Sequence, residues 1–365
     1  MTAEREVATR AFLNSAGWRD AAIAPLPGDA STRSYARVSL DGRKAMLMDQ
    51  PQSAETPPAP ANATPDERQA LGYNAVARLA GADVGRFVAA SNHLRRLGLS
   101  TPEIYAADPQ QGFALIEDLG DALYADVLMN GADETSLYES AAEVLATIQA
   151  ETAPAMLRPD KALHAYDETA QLAETDLMTE WYLPYALGRA AGEDETAEHR
   201  TLWRDALAAV REASPVFVHR DYHAQNLLWL PKRKGVARVG LIDFQDAVAG
   251  SRAYDLVSLL EDARRDVPPQ VAAATTTHYL AVTNADEPSY RTHMAVMAAQ
   301  RNAKIAGIFA RLYKRDGKPR YLSYLPRVWG YLNRDLEHPA LAKLKSWYDK
   351  TIPREVRGRA EGAVN

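Results

Sequence analysis

Three residues in the second half of the chain have the types and spacing that moving a phosphoryl group requires. Asp221 and Asn226 lie five positions apart in His219-Arg220-Asp221-Tyr222-His223-Ala224-Gln225-Asn226, and Asp243 closes the apolar run VGLIDF. A carboxylate leaving a strand can be aimed at an acceptor hydroxyl. Five residues on, an amide oxygen can return to a metal, and the next strands can bring a second carboxylate beside it. Amide and carboxylate oxygens are hard ligands that suit magnesium, with phosphate oxygens and water completing the octahedron. The transfer otherwise needs an aligned hydroxyl, neutralised phosphate charge and a place for the proton. Each residue alone reads as a turn or a strand-end cap; the three in order, at predicted strand ends, point to catalysis.

The elements that must position them are legible from periodicity. PVFVHRD (215–221), NLLWLP (226–231) and ARVGLIDF (237–244) read as closely spaced strands within an otherwise helical half. Upstream, residues 36–49 read as a hairpin, with Asp41-Gly42 between two apolar-rich runs in the manner of a tight primed turn. FALIE (113–117) is a further strand. Helical patterning covers 67–81, 85–98 (closed by Gly98), 134–150 and 291–313, and the N-terminal eighteen residues read as an amphipathic helix. The proline-dense stretch 51–65 cannot be a central strand or helix interior, and reads as a surface loop or plain linker. The organisation expected is α+β: a small strand-rich N-terminal lobe (1–116), a hinge (117–121) and a larger, mainly helical C-terminal lobe (122–365).

Composition narrows the partners. The chain has 365 residues, 47% of them hydrophobic, enough for a substantial core. A formal net charge of -6 offers no basic excess for a nucleic-acid backbone. The absence of cysteine excludes disulfides and thiolate metal sites and fits a reducing compartment. The N-terminus lacks the basic start and apolar run of a secretory signal, and no apolar stretch is long enough for a bilayer. A cytoplasmic protein with small-molecule partners, and neither nucleic acid nor membrane, is expected.

The stretch VHRDYHAQNLLWLP…VGLIDFQDAVAGSRAYDLVSLLEDA resembles the aminoglycoside-phosphotransferase and choline-kinase superfamily, small-molecule kinases with a protein-kinase-like two-lobe fold. The match to H-R-D-x-x-x-x-N is the kinase catalytic-loop pattern, and Ile242-Asp243-Phe244 stands where those kinases carry I-D-F or I-D-W. A narrower similarity, to the anomeric kinases for N-acetylmuramate and N-acetylglucosamine of peptidoglycan recycling, runs through GDASTRSYARV, Leu47-Met48-Asp49, LIEDLGD (115–121), DFQDAVAG, YDLVSLL and IAGIFARLYKRDGKPRYLSYLPRV (305–328). The resemblance implies ATP as donor, magnesium as cofactor and a sugar 1-phosphate as product. It implies Asp221 as base, Asn226 and Asp243 as metal ligands, and His219 and Asp255 as supports, Asp255 bracing the catalytic loop from a helix start. Backbone groups of Glu117 and Leu119 would meet adenine. Another small-molecule alcohol kinase of the superfamily and a catalytically silent nucleotide-binding module are the competing readings.

One departure bears on the phosphate grip. The strand lysine of many kinases, with its helix glutamate, is missing: Met48 occupies its expected place, and the helix at 85–97 has no glutamate. Ser31, Thr32 and Arg33 form a small polar loop that could touch phosphate; Arg33 reads either as a bidentate phosphate ligand or as a solvated hairpin charge, and Lys44 as a water-facing one. At the acceptor end, His223 and Gln225 either bond sugar hydroxyls or close the loop internally. Glu180 and Trp181 open an aromatic cluster, with Tyr182 and Tyr185, that either stacks on a sugar or packs a helix. Arg264, Arg301 and Lys304 are candidates for a lactyl carboxylate, and Asp246 reads as a turn residue rather than a metal support.

Overall fold

The computed structural model describes residues 2–27, 33–51 and 59–360. Two compact units emerge from the contacts. The first gathers 1–133, 154–164 and 224–247; the second gathers 134–153, 165–223 and 248–365. The division therefore differs from the single cut expected at 117–121. The strand pair following Asn226 belongs to the first unit although it lies late in the chain, because it packs on the elements around Leu123 and Ser100.

The first unit is built on a five-stranded antiparallel sheet of order β1-β2-β3-β5-β4, with β1 Ala22–Pro25, β2 Ser34–Leu40, β3 Arg43–Asp49, β4 Ile104–Asp108 and β5 Phe113–Ile116. The β2–β3 turn has positive φ at Asp41 (50°) and Gly42 (77°), the backbone a primed two-residue turn demands. Alternation sends Val38, Ala45 and Leu47 to one face, where the helix Ala3–Ser15 covers them with Phe12 and Leu13. Phe12 stacks on Phe113 with ring centroids 5.2 Å apart. Even-numbered Met46 and Met48 take the opposite face.

Helical expectations mostly map onto helices Val84–Arg96, Glu134–Ile148 and Glu287–Lys314. The exception is 67–81. It splits into Pro65–Leu71 and Tyr73–Val76 at Gly72, whose φ of 94° no helix interior accommodates. The pattern of apolar positions was helical, but one glycine with positive φ outweighs it. In the second unit the long helix Glu287–Lys314 packs on Glu168–Leu177 so closely that a Cβ at Gly307 would stand 2.5 Å from that of Leu177. The strand Val216–Val218 pairs antiparallel with Val248–Gly250, so PVFVHRD does not join the other two motif strands. Among the described residues no helix is long and apolar enough to cross a membrane.

Candidate active site

Each unit carries one group of the expected residues. In the first, Leu227–Trp229 pairs with Val239–Leu241 in the register Leu241↔Leu227. The next step sets Asn226 across from Ile242, whose N–H donates to the Asn226 carbonyl at 3.2 Å. Asp243 follows with φ 64°, a left-handed backbone that aspartate tolerates better than most residues. The outcome is an Asn226 amide whose Nδ2 donates to Asp243 Oδ2 at 3.4 Å. Among the described residues no group of three or more His, Asp or Glu is placed to hold a metal. A two-residue set of one amide and one carboxylate still fits magnesium, which keeps several waters and leans on nucleotide phosphates.

The other oxygen of Asp243 is engaged. Arg33 Nη1 reaches Oδ1 at 3.0 Å, and Gln245 Nε2 donates to the same atom at 3.0 Å. The Arg33 side chain is 9% exposed and that of Asp243 is 42% exposed, so the arginine is sheathed and the carboxylate faces outward. Burial works against the Arg33 charge, but Tyr35, Asp243 and Asp246 more than offset it and raise its pKa above the ordinary value. Arg33 is thus a buried cation beside Asp243, not a solvated hairpin charge. Met48 lies beneath it, fully buried, with the Tyr35 hydroxyl donating to its Sδ at 3.6 Å. Lys44 is exposed. Ser31 and Thr32 lie outside the described residues.

These side chains border a cleft of about 470 Å³ within the first unit. Met46, Ile116 and Leu228 give it an apolar wall, Arg33, Asn226 and Asp243 a polar end, and 117–121 a rim. Such a wall suits an adenine face. Glu117 commits its backbone N–H to the Glu103 carbonyl at 2.8 Å, which leaves its carbonyl as the group able to meet a base. The rim is held by Arg37, whose Nε donates to Asp118 Oδ2 at 2.6 Å, while Asp118 Oδ1 accepts the Gly120 N–H at 3.0 Å. Asp246 does more than turn the chain: its Oδ1 accepts the Ala80 N–H at 2.5 Å.

In the second unit Asp255, at the start of helix Tyr254–Leu260, accepts the N–H groups of His219 (2.6 Å) and Arg220 (2.9 Å). Burial pushes its carboxyl up to about 7 against the pull of those two bonds and of Arg301. Arg220 has φ 77°, which turns the chain sharply before Asp221. His219 Nδ1 accepts the Asp221 N–H at 3.3 Å. The partly exposed Asp221 therefore leaves a loop pinned from two sides.

The acceptor candidates scatter. Burial pushes His223 down to about 3, so it is neutral, and its Nε2 accepts from Arg264 Nη1 at 3.3 Å. Arg264 is half-buried and is the candidate cation nearest solvent. Arg301 is buried and donates to the Glu261 carbonyl at 3.2 Å. Lys304, also buried, donates to the Tyr254 hydroxyl at 2.7 Å and lies 3.5 Å from Glu174. Arg301 and Lys304 thus both spend donors on protein groups. Gln225 is exposed. Glu180 and Trp181 fall in a π-helical turn, Met178–Tyr182; Glu180 is raised chiefly by burial and sits among Arg311, Arg200 and Asp176. The structure groups Glu180 with these residues, not with His223 and Arg264. Tyr182 and Tyr185 are packing residues: their hydroxyls bond the Gly358 N–H and the Arg359 carbonyl at 2.9 Å each.

Three residues were not singled out from the sequence. Glu174 is the buried partner of Arg220 and Lys304, and on an amphipathic helix it looks like any surface glutamate. Gln245 stands in DFQD two positions after Asp243, and that adjacency was its only signal. Asp262 is 1% exposed, accepts the Arg264 N–H at 2.8 Å, and its charge acts on His223; nothing local marks it.

The model of the phosphotransferase enzyme family matches residues 22–293. A protein of Caulobacter vibrioides named N-acetylmuramate/N-acetylglucosamine kinase is 45% identical over 361 residues, covering 98% of this chain and 99% of its own. A Pseudomonas aeruginosa protein of the same name is 34% identical, covering 90% and 89%. Solved structures share the fold at low identity. A choline/ethanolamine kinase family protein from Mesorhizobium loti has a TM-score of 0.57 at 13% identity, covering 94% of this chain and 98% of its own. An ADP-bound aminoglycoside phosphotransferase has 0.55 at 13%, covering 94% and 99%. With a family match across residues 22–293 and a 45% identical relative over nearly the whole chain, this chain belongs to the phosphotransferase enzyme family.

Proposed function

We propose that this protein is a cytoplasmic kinase that transfers the γ-phosphoryl group of ATP to the anomeric hydroxyl of N-acetylmuramate, N-acetylglucosamine or both, giving the sugar 1-phosphate for peptidoglycan recycling. The observation that carries the reading is the 45% identity, over 98% of the chain, to a protein named for those two sugars. In the step, the sugar oxygen forms a bond to the γ-phosphorus. The bond to the bridging oxygen breaks with its electron pair leaving on ADP, and the hydroxyl proton passes to Asp221. An anomeric hydroxyl is more acidic than an ordinary alcohol, so an ordinary carboxylate suffices as base.

Asn226 and Asp243 would hold magnesium, which neutralises phosphate charge and fixes the polyphosphate when bound. Arg33, a cation beside Asp243, would supply the charge that Met48 cannot, which weighs against the silent-module reading. The 117–121 rim would seat adenine through the Glu117 carbonyl and the Leu119 backbone. Arg264, backed by a neutral His223, is the group best placed to receive a lactyl carboxylate.

Incubation of the purified protein with ATP, magnesium and each sugar tests the assignment, with the product followed by phosphorus NMR. An acid-labile, alkali-stable glycosyl phosphate is expected. Phosphorylation of neither sugar, alongside turnover of another alcohol in an acceptor panel, would replace the substrate assignment and keep the reaction class.

A further inference from the structure

We propose that a cleft in the second unit, apart from Asp221, is a further ligand-binding site, shaped for a small organic cation with an apolar body, and that its occupant acts on the base-bearing loop through Tyr166. The binding half stands on the cleft alone; the half concerning the loop rests on reading Asp221 as the base. The cleft holds about 410 Å³, a volume typical of small-molecule sites. Pro215 at its edge precedes the strand Val216–Val218, and Asp221 follows that strand. Cleft and base therefore lie at opposite ends of one strand.

The lining gives the chemistry of the ligand. Leu207, Val210, Pro215, Ala249 and Met297 form an apolar wall, and three carboxylates, Asp167, Glu168 and Glu212, stand against one guanidinium, Arg211. Burial decides among the charges. The Arg211 side chain is 70% exposed and donates to Glu168, which Arg204 also pairs, so that group is screened by water. Asp167 is spent as the N-cap of the helix Glu168–Leu177, accepting the Ala170 N–H at 3.0 Å. The Glu212 side chain is only 13% exposed. Its Oε1 accepts from Ser251 Oγ and from the Arg252 N–H and meets His293 Nδ1, each at 3.3 Å. Among the described residues no hydrogen bond reaches its Oε2. Burial works to raise its pKa, but His293 and Arg252 more than offset that and hold it below the ordinary range, so it is ionised. A buried carboxylate with one satisfied oxygen and one open, beside an apolar wall, is complementary to an ammonium group carried on a hydrocarbon.

Tyr166 connects this cleft to the loop. It lines the cleft and is otherwise buried. Its hydroxyl donates to Glu174, its ring lies 5.0 Å from the Arg220 guanidinium, and it stands edge-on to Tyr254 with centroids 5.5 Å apart. Glu174 pairs with Arg220, and Tyr254 opens the helix from which Asp255 holds the loop backbone. Gly250 packs so closely behind it that a Cβ there would stand 3.3 Å from that of Tyr166. A close-packed side chain of this kind transmits a displacement on one face to its contacts on the other.

The test titrates phenylbutylamine into the full-length protein by isothermal calorimetry, with phenylbutanol and phenylbutanoate as neutral and anionic probes of the same body. The amine is expected to bind more tightly than either; equal binding of the three, or none of the amine, overturns the site. Glu212→Gln should weaken the amine about tenfold or more and leave the alcohol nearly unchanged, and Leu207→Trp, which fills the cleft, should abolish binding of both. An amine that binds the folded variants as it binds wild type sits elsewhere and overturns the site; Glu212→Gln carries this arm if Leu207→Trp fails to fold by circular dichroism. The link to the loop is read as kcat at saturating ATP and sugar. The amine should shift it about twofold or more in wild type, and not in Glu212→Gln at the same concentration. An unchanged wild-type kcat overturns the link through Tyr166. Binding is measured without substrate, so a protein that turns over neither sugar overturns the functional reading and the link, not the site.

Discussion

Two of the protein's arginine–carboxylate pairs, one from each unit, have opposite character. Arg33–Asp243 joins a sheathed arginine to a carboxylate whose side chain is 42% exposed. Arg220–Glu174 is sealed, with both side chains 2% exposed. Glu174 also receives Lys304, Tyr166 and Gln300, so its lone pairs are all taken. Burial alone would push its carboxyl up, but Lys304 and Arg220 more than offset that and hold it below the ordinary range. In the exposed pair Asp243 Oδ2 has one donor, the Asn226 amide at 3.4 Å, and keeps a lone pair for a ligand. The sealed pair has none, and it serves to fix the arginine that precedes Asp221. Proximity of opposite charges does not distinguish a pair able to take a ligand from scaffold; the count of unspent lone pairs does.

The contrast can be broken most sharply by asymmetry between activity and stability. Asp243→Asn should reduce kcat on the order of 10³-fold or more while the urea midpoint hardly moves, because the residue is half in water. Glu174→Ala should do the reverse in kind, lowering unfolding free energy by about 3–5 kcal/mol through two cations left buried and unpaired, as read by urea denaturation. If Glu174→Ala unfolds at the wild-type midpoint, the sealed pair is not scaffold and the distinction falls.

A smaller effect comes from the sealed side's neutral base. His199 accepts the Trp203 indole N–H at 2.9 Å, and burial pushes it down to about 3, against about 6.5 in an unfolded chain. The unfolded state therefore binds the extra proton. Stability from this group is present above pH 6.5 and is lost as pH falls toward 3, with a slope approaching about 1.4 kcal/mol per pH unit. His199→Asn should flatten the fall between about pH 6 and 4 by that share; an unchanged slope in pH-dependent urea melts would show that the imidazole is already charged in the fold. The smallest effect concerns Arg264, intermediate in exposure. Arg264→Met should raise KM for N-acetylmuramate about tenfold, or roughly 1.4 kcal/mol, and leave KM for N-acetylglucosamine nearly unchanged. Equal rises for both sugars would remove Arg264 from carboxylate recognition.

Much of the fold is legible in the sequence. The β2–β3 hairpin follows from two apolar runs and Asp41-Gly42, and the Asn226–Asp243 pairing follows from strand spacing, because both signals are local. What stayed hidden depends on partners far along the chain. Arg33 meets Asp243 across 210 positions and Glu174 meets Arg220 across 46, and no spacing rule reaches that far. The aromatic cluster at 180–185 left stacking on a sugar and helix packing both open for the same reason: its tyrosines bond the segment near Gly358, which no periodicity at 180 announces. Gly72 errs in the other direction. The information was present in one residue, but an averaged helical pattern outweighed it.

The backbone at Asp243 has a consequence for how this position can vary. With φ at 64°, it admits glycine freely, asparagine and aspartate at modest cost, and most other side chains only under strain. A saturation library here would be filtered twice, once by the chain's conformation and once by the chemistry. Glutamate, the substitution that preserves charge, meets both obstacles, whereas asparagine meets only the second. Tolerance at this site therefore says as much about a turn as about a metal, and folding yield must be scored beside turnover to separate them.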